Sequence, residues 1–109
     1  MIYGVEVSEQ ADSDLREIFE YIAFELQSPE IASRQLNRLE KHILSLDTMP
    51  KCYQKYEKEP WKSRGLRVLP VDNYVVLYIP DSNKKVVTIL RVMYAGRDID
   101  NQLKLHTKQ

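Results

Sequence analysis

Arginines recur at regular points of the strand-rich second half of this chain, at Arg67, Arg91 and Arg97. A guanidinium is a planar fork of five donors that grips phosphate or carboxylate in two-pronged fashion. Just ahead of them, residues 51–67 carry Lys51, Lys55, Lys58, Lys62, Arg64 and Arg67, with Tyr53, Tyr56 and Trp61 interleaved. Cations separated by aromatic rings suit nucleic acid, through phosphate neutralisation and base stacking. The same pattern also describes an exposed loop whose rings lie back on a core. Lys62, Arg64, Arg67, Arg91 and Arg97 are therefore the candidates for gripping a target or a nucleic acid. Arginines that merely satisfy carboxylates or turn carbonyls would read identically.

Other chemistries are limited by composition. Cys52 is the single cysteine and stands beside only two histidines, His42 and His106, so neither an internal disulfide nor a His/Cys zinc site is expected. A lone thiol fits a reducing compartment. No cofactor is implied. The formal net charge is zero, but ten acidic and four basic groups fall within residues 1–47, and six and twelve within residues 48–109. That asymmetry fits either a basic face for an anionic partner or a solvated acidic helix beside a solvated basic loop. At 109 residues the chain is read as one domain, 1–109, which excludes a two-domain enzyme. No apolar run approaches the roughly 20 residues that span a bilayer, and no leader precedes the first periodic segment, so a cytoplasmic protein is expected.

The elements that must position these groups follow from periodicity. Residues 2–7 alternate loosely and predict a short first strand. Ser8 is placed to cap a helix whose apolar stripe is Leu15, Ile18, Phe19, Ile22 and Leu26, with acidic residues in its early turns where the helix dipole favours them. Ser28-Pro29 stops it and caps the next, whose stripe is Ala32, Leu36, Leu39, Ile43 and Leu46. Two such helices so closely joined predict an antiparallel hairpin. Residues 51–64 show neither period and predict a loop. Three strands follow over 66–71, 74–79 and 86–94, turning at Asp72-Asn73 and at residues 80–83. Asp98 is placed to cap a last helix carrying Ile99, Leu103 and Leu105, with fraying from residue 106. The fold class is thus α+β: an N-terminal strand, a helical hairpin on one face of a mainly antiparallel sheet with a three-strand meander, and a short C-terminal helix. The other sheet face is expected to stay open. In the last strand Leu90, Val92 and Tyr94 are expected on one side and Val87, Ile89, Arg91 and Met93 on the other.

Several segments in this order carry a family likeness: Ala11-x-x-Asp14-Leu15-x-x-Ile18-x-x-Tyr21-Ile22, Ile43-x-x-Leu46-x-x-x-Pro50, Gly65-Leu66-Arg67, Asn73-Tyr74-x-x-x-Tyr78 and Leu90-Arg91-Val92-x-Tyr94-x-x-Arg97-Asp98. Over residues 2–103 the chain resembles the RelE/ParE superfamily of toxins from type II toxin-antitoxin systems. The resemblance implies one of two targets. RelE-like members cut messenger RNA on the ribosome, with the RNA 2'-hydroxyl as nucleophile and basic or acid-base side chains assisting. ParE-like members inhibit DNA gyrase and need no hydrolytic constellation. For a nuclease, the resemblance points to Arg67, Tyr94 and Arg97, with Tyr94 as general acid or stacking platform and both arginines on phosphate. RelE-like chains commonly carry an arginine after the middle-strand tyrosine. Here Val75 follows Tyr74, which argues against an efficient nuclease. The Gly-Leu-Arg, Leu-Arg-Val and Arg-Asp elements look more ParE-like, so gyrase inhibition is the leading expectation, with no confident catalytic residue. The ribosome-dependent endoribonuclease, and a decayed non-toxic binding module, are the alternatives. The resemblance also implies a cognate antitoxin whose C-terminal segment folds onto this chain in a hetero-oligomer, and no membrane partner.

Overall fold

In the computed structural model, residues 2–106 are described. They form β1 (Gly4–Val7), α1 (Glu9–Glu20), a π-helical turn (Tyr21–Glu25), α2 (Pro29–Leu44), a 3-10 turn (Ser45–Asp47), β2 (Gln54–Lys55), α3 (Trp61–Arg64), β3 (Arg67–Val71), β4 (Tyr74–Asp81), β5 (Val86–Tyr94) and α4 (Ile99–His106). The sheet order is β1-β5-β4-β3-β2. β1 runs parallel to β5, and every other pair is antiparallel.

Local chemistry accounts for the helical hairpin. Ser8 caps α1 by accepting from the Ala11 N–H at 3.0 Å, and its own hydroxyl donates to the Leu90 carbonyl at 3.0 Å. One side chain therefore starts the helix and ties it to β5. At the far end the Leu26 N–H reaches back five residues to Tyr21, the Ser28 N–H reaches Ile22, and Gln27 takes a left-handed φ of 53°. Pro29 then opens α2, where its missing N–H costs nothing. Ser28 does not supply the expected side-chain cap; its hydroxyl donates backwards to the Leu26 carbonyl. β1 begins at Gly4 rather than residue 2, and β4 continues to Asp81.

Three expectations are corrected by packing. The sheet has no open face. On one side Ala11, Leu15, Leu39, Ile43 and Leu46 pack on Leu69, Val71, Val76, Tyr78, Val87, Ile89 and Val92. On the other, Trp61, Leu66 and Leu103 cover Val75, Leu77 and Met93. Residues 51–64, read as a loop, therefore hold β2 and α3, because Trp61 has an apolar surface to dock on and is 1% exposed. The alternation expected in β5 also breaks. Leu77 pairs with Arg91 but Tyr78 with Ile89, so Leu90 is an extra residue in a bulge. Val87, Ile89 and Val92 consequently share the helix-facing side, while Met93 faces α3 and α4. α4 includes His106, where fraying was expected to begin, while the Leu105 side chain and residues 107–109 lie outside what is described.

Candidate functional site

A cleft opens where the ends of β4 and β5 meet the tip of the helical hairpin. Its volume is ≈ 780 Å³. Ile18, Ile22, Leu26 and Ile31 supply an apolar wall from α1, the π-turn and α2, and Tyr21, Tyr74 and Tyr94 add aromatic rings. Tyr74 and Tyr94 are cross-strand partners whose rings meet edge to face, with centroids 6.1 Å apart. Burial pushes the Tyr74 phenol above its ordinary range, with Tyr21 and Tyr94 adding to the effect. After Tyr94 the chain closes a tight turn in which the Arg97 N–H donates to the Tyr94 carbonyl at 3.1 Å. Arg97 and Glu17, both exposed, bring one charge of each sign to the cleft. Tyr21, Leu26, Ile31 and Tyr94 each leave more than half their surface exposed, so the apolar lining extends onto the outside of the molecule.

Beneath this surface lies an ion pair. The Asp14 carboxylate accepts from Arg91 Nε at 2.7 Å, from Arg91 Nη2 at 3.0 Å and from the Val92 N–H at 3.0 Å. Arg91 also donates to the Gln102 carbonyl at 3.3 Å. β1 pairs with β5 only as far as Ile89, and Asp14 serves the strand edge beyond that point. At 3% exposure Arg91 binds α1, β5 and α4 together, which corrects its reading as a target-gripping residue: the Asp14 carboxylate turns its guanidinium inward.

Arg67 is likewise engaged. Its Nη1 donates to the Lys51 carbonyl at 3.1 Å and the Tyr53 carbonyl at 2.7 Å. Its cross-strand partner Tyr78 donates to the Pro50 carbonyl at 2.6 Å. This pair pins residues 50–53 to the sheet. Arg67 pairs with Tyr78 and Tyr94 with Tyr74, four residues apart on β4, so they are separated by about 13 Å along the strand. Of the three residues named for a nuclease, only Tyr94 and Arg97 come together. Lys62 and Arg64 are exposed on α3, with the Arg64 guanidinium 5.3 Å from the Trp61 ring centre. Gly65 ends that helix at a φ of 82°, a left-handed value that favours glycine. Among the described residues no His, Cys, Asp and Glu cluster could hold a metal ion, and no helix is long and apolar enough to cross a membrane.

Residues 5–99 match the sequence profile of the family described as ParE toxin of type II toxin-antitoxin system, parDE. The chain belongs to this ParE toxin family. Its fold agrees with solved toxin structures. The chromosomal ParDE toxin-antitoxin system of P. aeruginosa aligns with a TM-score of 0.71 at 18% identity, over 85% of this chain and 96% of that one. The RelBE2 toxin-antitoxin complex of Mycobacterium tuberculosis gives 0.66 at 21%, over 86% and 99%. A mutant E. coli RelE toxin in the free state gives 0.66 at 17%, over 94% and 93%. No curated protein matches.

In this ParE-family chain the residues missed from sequence are the apolar ones. The first helical stripe continues through Ile22, which is buried with Ala23 and Ala32, to Leu26, which remains 55% exposed. A stripe too long for its core, followed by the further apolar residue Ile31, was the available signal for a docking cleft.

Proposed function

We propose that this chain is a growth-arresting toxin that inhibits DNA gyrase in the cytoplasm and is neutralised by a cognate antitoxin seated in the cleft. The observation carrying the gyrase reading is the separation of Arg67 from Tyr94 and Arg97. A phosphorane needs several cations converging on one phosphate, whereas Arg67 here holds the carbonyls of Lys51 and Tyr53. The exposed cations Lys62, Arg64 and Arg97 are then contacts for a macromolecular surface rather than parts of a hydrolytic centre. The antitoxin reading is supported by the cleft's exposed apolar wall, which suits an amphipathic segment that folds on binding. It is supported as well by the solved neighbours, which include the intact E. coli RelBE toxin-antitoxin complex.

One observation favours the ribosome-dependent nuclease instead: Tyr94 and Arg97 share the cleft, giving a phenol and one guanidinium in reach of a common ligand. The two readings part in a direct assay. Purified toxin is expected to stop supercoiling by gyrase and to leave messenger RNA intact on translating ribosomes. Cleavage of that RNA, abolished by Arg97→Ala, would replace the gyrase reading with the nuclease.

A further inference from the structure

We infer that Gly96 is a positioning residue, whose missing side chain seats the Tyr94 ring against Tyr74 and so shapes the cleft for the antitoxin segment. The inference rests on the reading of the cleft as the antitoxin's seat. Its starting point is that the backbone at this turn has no need of glycine. Of the three glycines in the chain, only Gly65 takes a positive φ, and a turn closed by the Arg97 N–H on the Tyr94 carbonyl accepts other residues at its third position when φ is negative. The demand is steric and comes from one ring. A Cβ at position 96 would stand 2.5 Å from Tyr94 Cε2, 3.1 Å from Cδ2 and 3.6 Å from Cζ. Neither other glycine is so placed: a Cβ at Gly65 meets nothing within 4 Å, and one at Gly4 makes only ordinary contacts at 3.9 Å.

Tyr94 is 52% exposed at the end of a strand, where an aromatic side chain ordinarily samples more than one rotamer. Two contacts restrict it. The ring lies against Gly96 and meets the Tyr74 ring edge to face. A methyl group at 96 removes the first, and the ring must swing away from the second, because sub-3 Å contacts between carbon atoms are not sustained. The Tyr94 backbone stays in its ladder with Tyr74, so the fold survives while the cleft loses its aromatic wall. A ring held in place before binding also spares the partner the entropy of ordering it.

The test is Gly96→Ala in the full chain, read in two independent ways. In the free toxin, NMR is expected to show ring-current shifts at the Gly96 α-protons and contacts between the Tyr74 and Tyr94 rings. Tyr94→Ala removes the shifts, and Gly96→Ala removes the ring-to-ring contacts while the melting transition stays cooperative. For binding, the probe is the purified full-length antitoxin encoded beside this chain. Gly96→Ala is expected to weaken it about tenfold, the size of one lost aromatic contact, and to cost nothing further when Tyr94 is already alanine. Tyr94→Phe, which keeps the ring, leaves the Gly96→Ala penalty in place. Unmoved ring contacts in Gly96→Ala would overturn the positioning role. So would moved contacts with unchanged affinity while Leu26→Glu still abolishes binding, and in that case the cleft reading stands. If Leu26→Glu binds as tightly as the parent, the cleft reading itself fails and the inference falls with it.

Discussion

Asp14 and Arg91, 77 positions apart in sequence, meet at 2.7 Å in an ion pair whose side chains are 6% and 4% exposed. Removing one partner strands the other charge in a site closed to water, which costs about 3–5 kcal/mol. Asp14→Ala is expected to lower the unfolding free energy by that amount, read from the shift of the denaturant midpoint. Arg16→Ala breaks an exposed pair with Asp12 at 3.1 Å and is expected to cost about 0.5 kcal/mol or less. Equal losses from the two variants would show that the buried pair does not organise the junction of α1, β5 and α4.

Tyr78 carries the second stability prediction. It is fully buried, its hydroxyl donates to the Pro50 carbonyl at 2.6 Å, and burial pushes its phenol far above the ordinary range. Tyr78→Phe leaves that carbonyl without its donor and is expected to cost about 1–3 kcal/mol in chemical denaturation. A folded-state pKa raised above the unfolded value near 10 gives stability that is complete below about pH 10 and lost as pH rises beyond it. Absorbance titration is expected to leave Tyr78 un-ionised until the chain unfolds, with an earlier alkaline unfolding midpoint for the parent than for a protein lacking such a tyrosine. A phenol at this site ionising near pH 10 in the folded state would contradict its burial.

Much of the fold was legible because its signals are local. The runs Val75-Val76 and Val86-Val87-Thr88-Ile89 mark strands, Asp72 takes a left-handed conformation in the tight turn expected at Asp72-Asn73, and Ser8 caps as its position suggests. What stayed hidden depends on partners distant in sequence. The Leu90 bulge reverses the strand's alternation just where Arg91 turns to Asp14, and no local pattern reports a carboxylate in another element. Coverage of the second sheet face joins Trp61 and Leu66 to Leu103 of α4, residues far apart in the chain that no local period connects. The site was legible at Tyr94 and Arg97 alone, since the apolar wall opposite them comes from the hairpin tip.

The turn between β3 and β4 is pinned to α2 by Asp72, which accepts from Arg38 Nε at 2.8 Å, from Arg38 Nη2 at 3.0 Å and from Gln35 at 3.0 Å. The Arg38 hydrogen bonds, with Gln35 adding, hold the Asp72 carboxyl below its ordinary value. A depressed folded-state pKa gives stability that is present above the unfolded value near 3.9 and lost as pH falls through and below it. Urea denaturation of Asp72→Asn is expected to show a shallower loss of stability between about pH 4 and pH 2 than the parent, and the difference is expected to shrink in 1 M salt. Parallel curves for the two proteins would show that this surface cluster adds nothing to the acid response.

The exposed cations of α3 separate target engagement from folding. Lys62 and Arg64 lie outside the cleft lining, and Arg64 contributes only a cation-π contact with Trp61, worth about 0.5–1 kcal/mol at an exposed site. Lys62→Ala with Arg64→Ala is therefore expected to leave the protein folded and its antitoxin affinity unchanged. Inhibition of supercoiling, by contrast, is expected to weaken about tenfold, with a shallower salt dependence, if the proposed gyrase contact uses these two charges. Trp61→Ala is the contrasting variant: it empties a buried site and is expected to cost about 3–5 kcal/mol. If the double variant inhibits gyrase as well as the parent does at every salt concentration, the basic residues of α3 are solvated surface, and Arg97 beside the cleft becomes the cation on which target binding must rest.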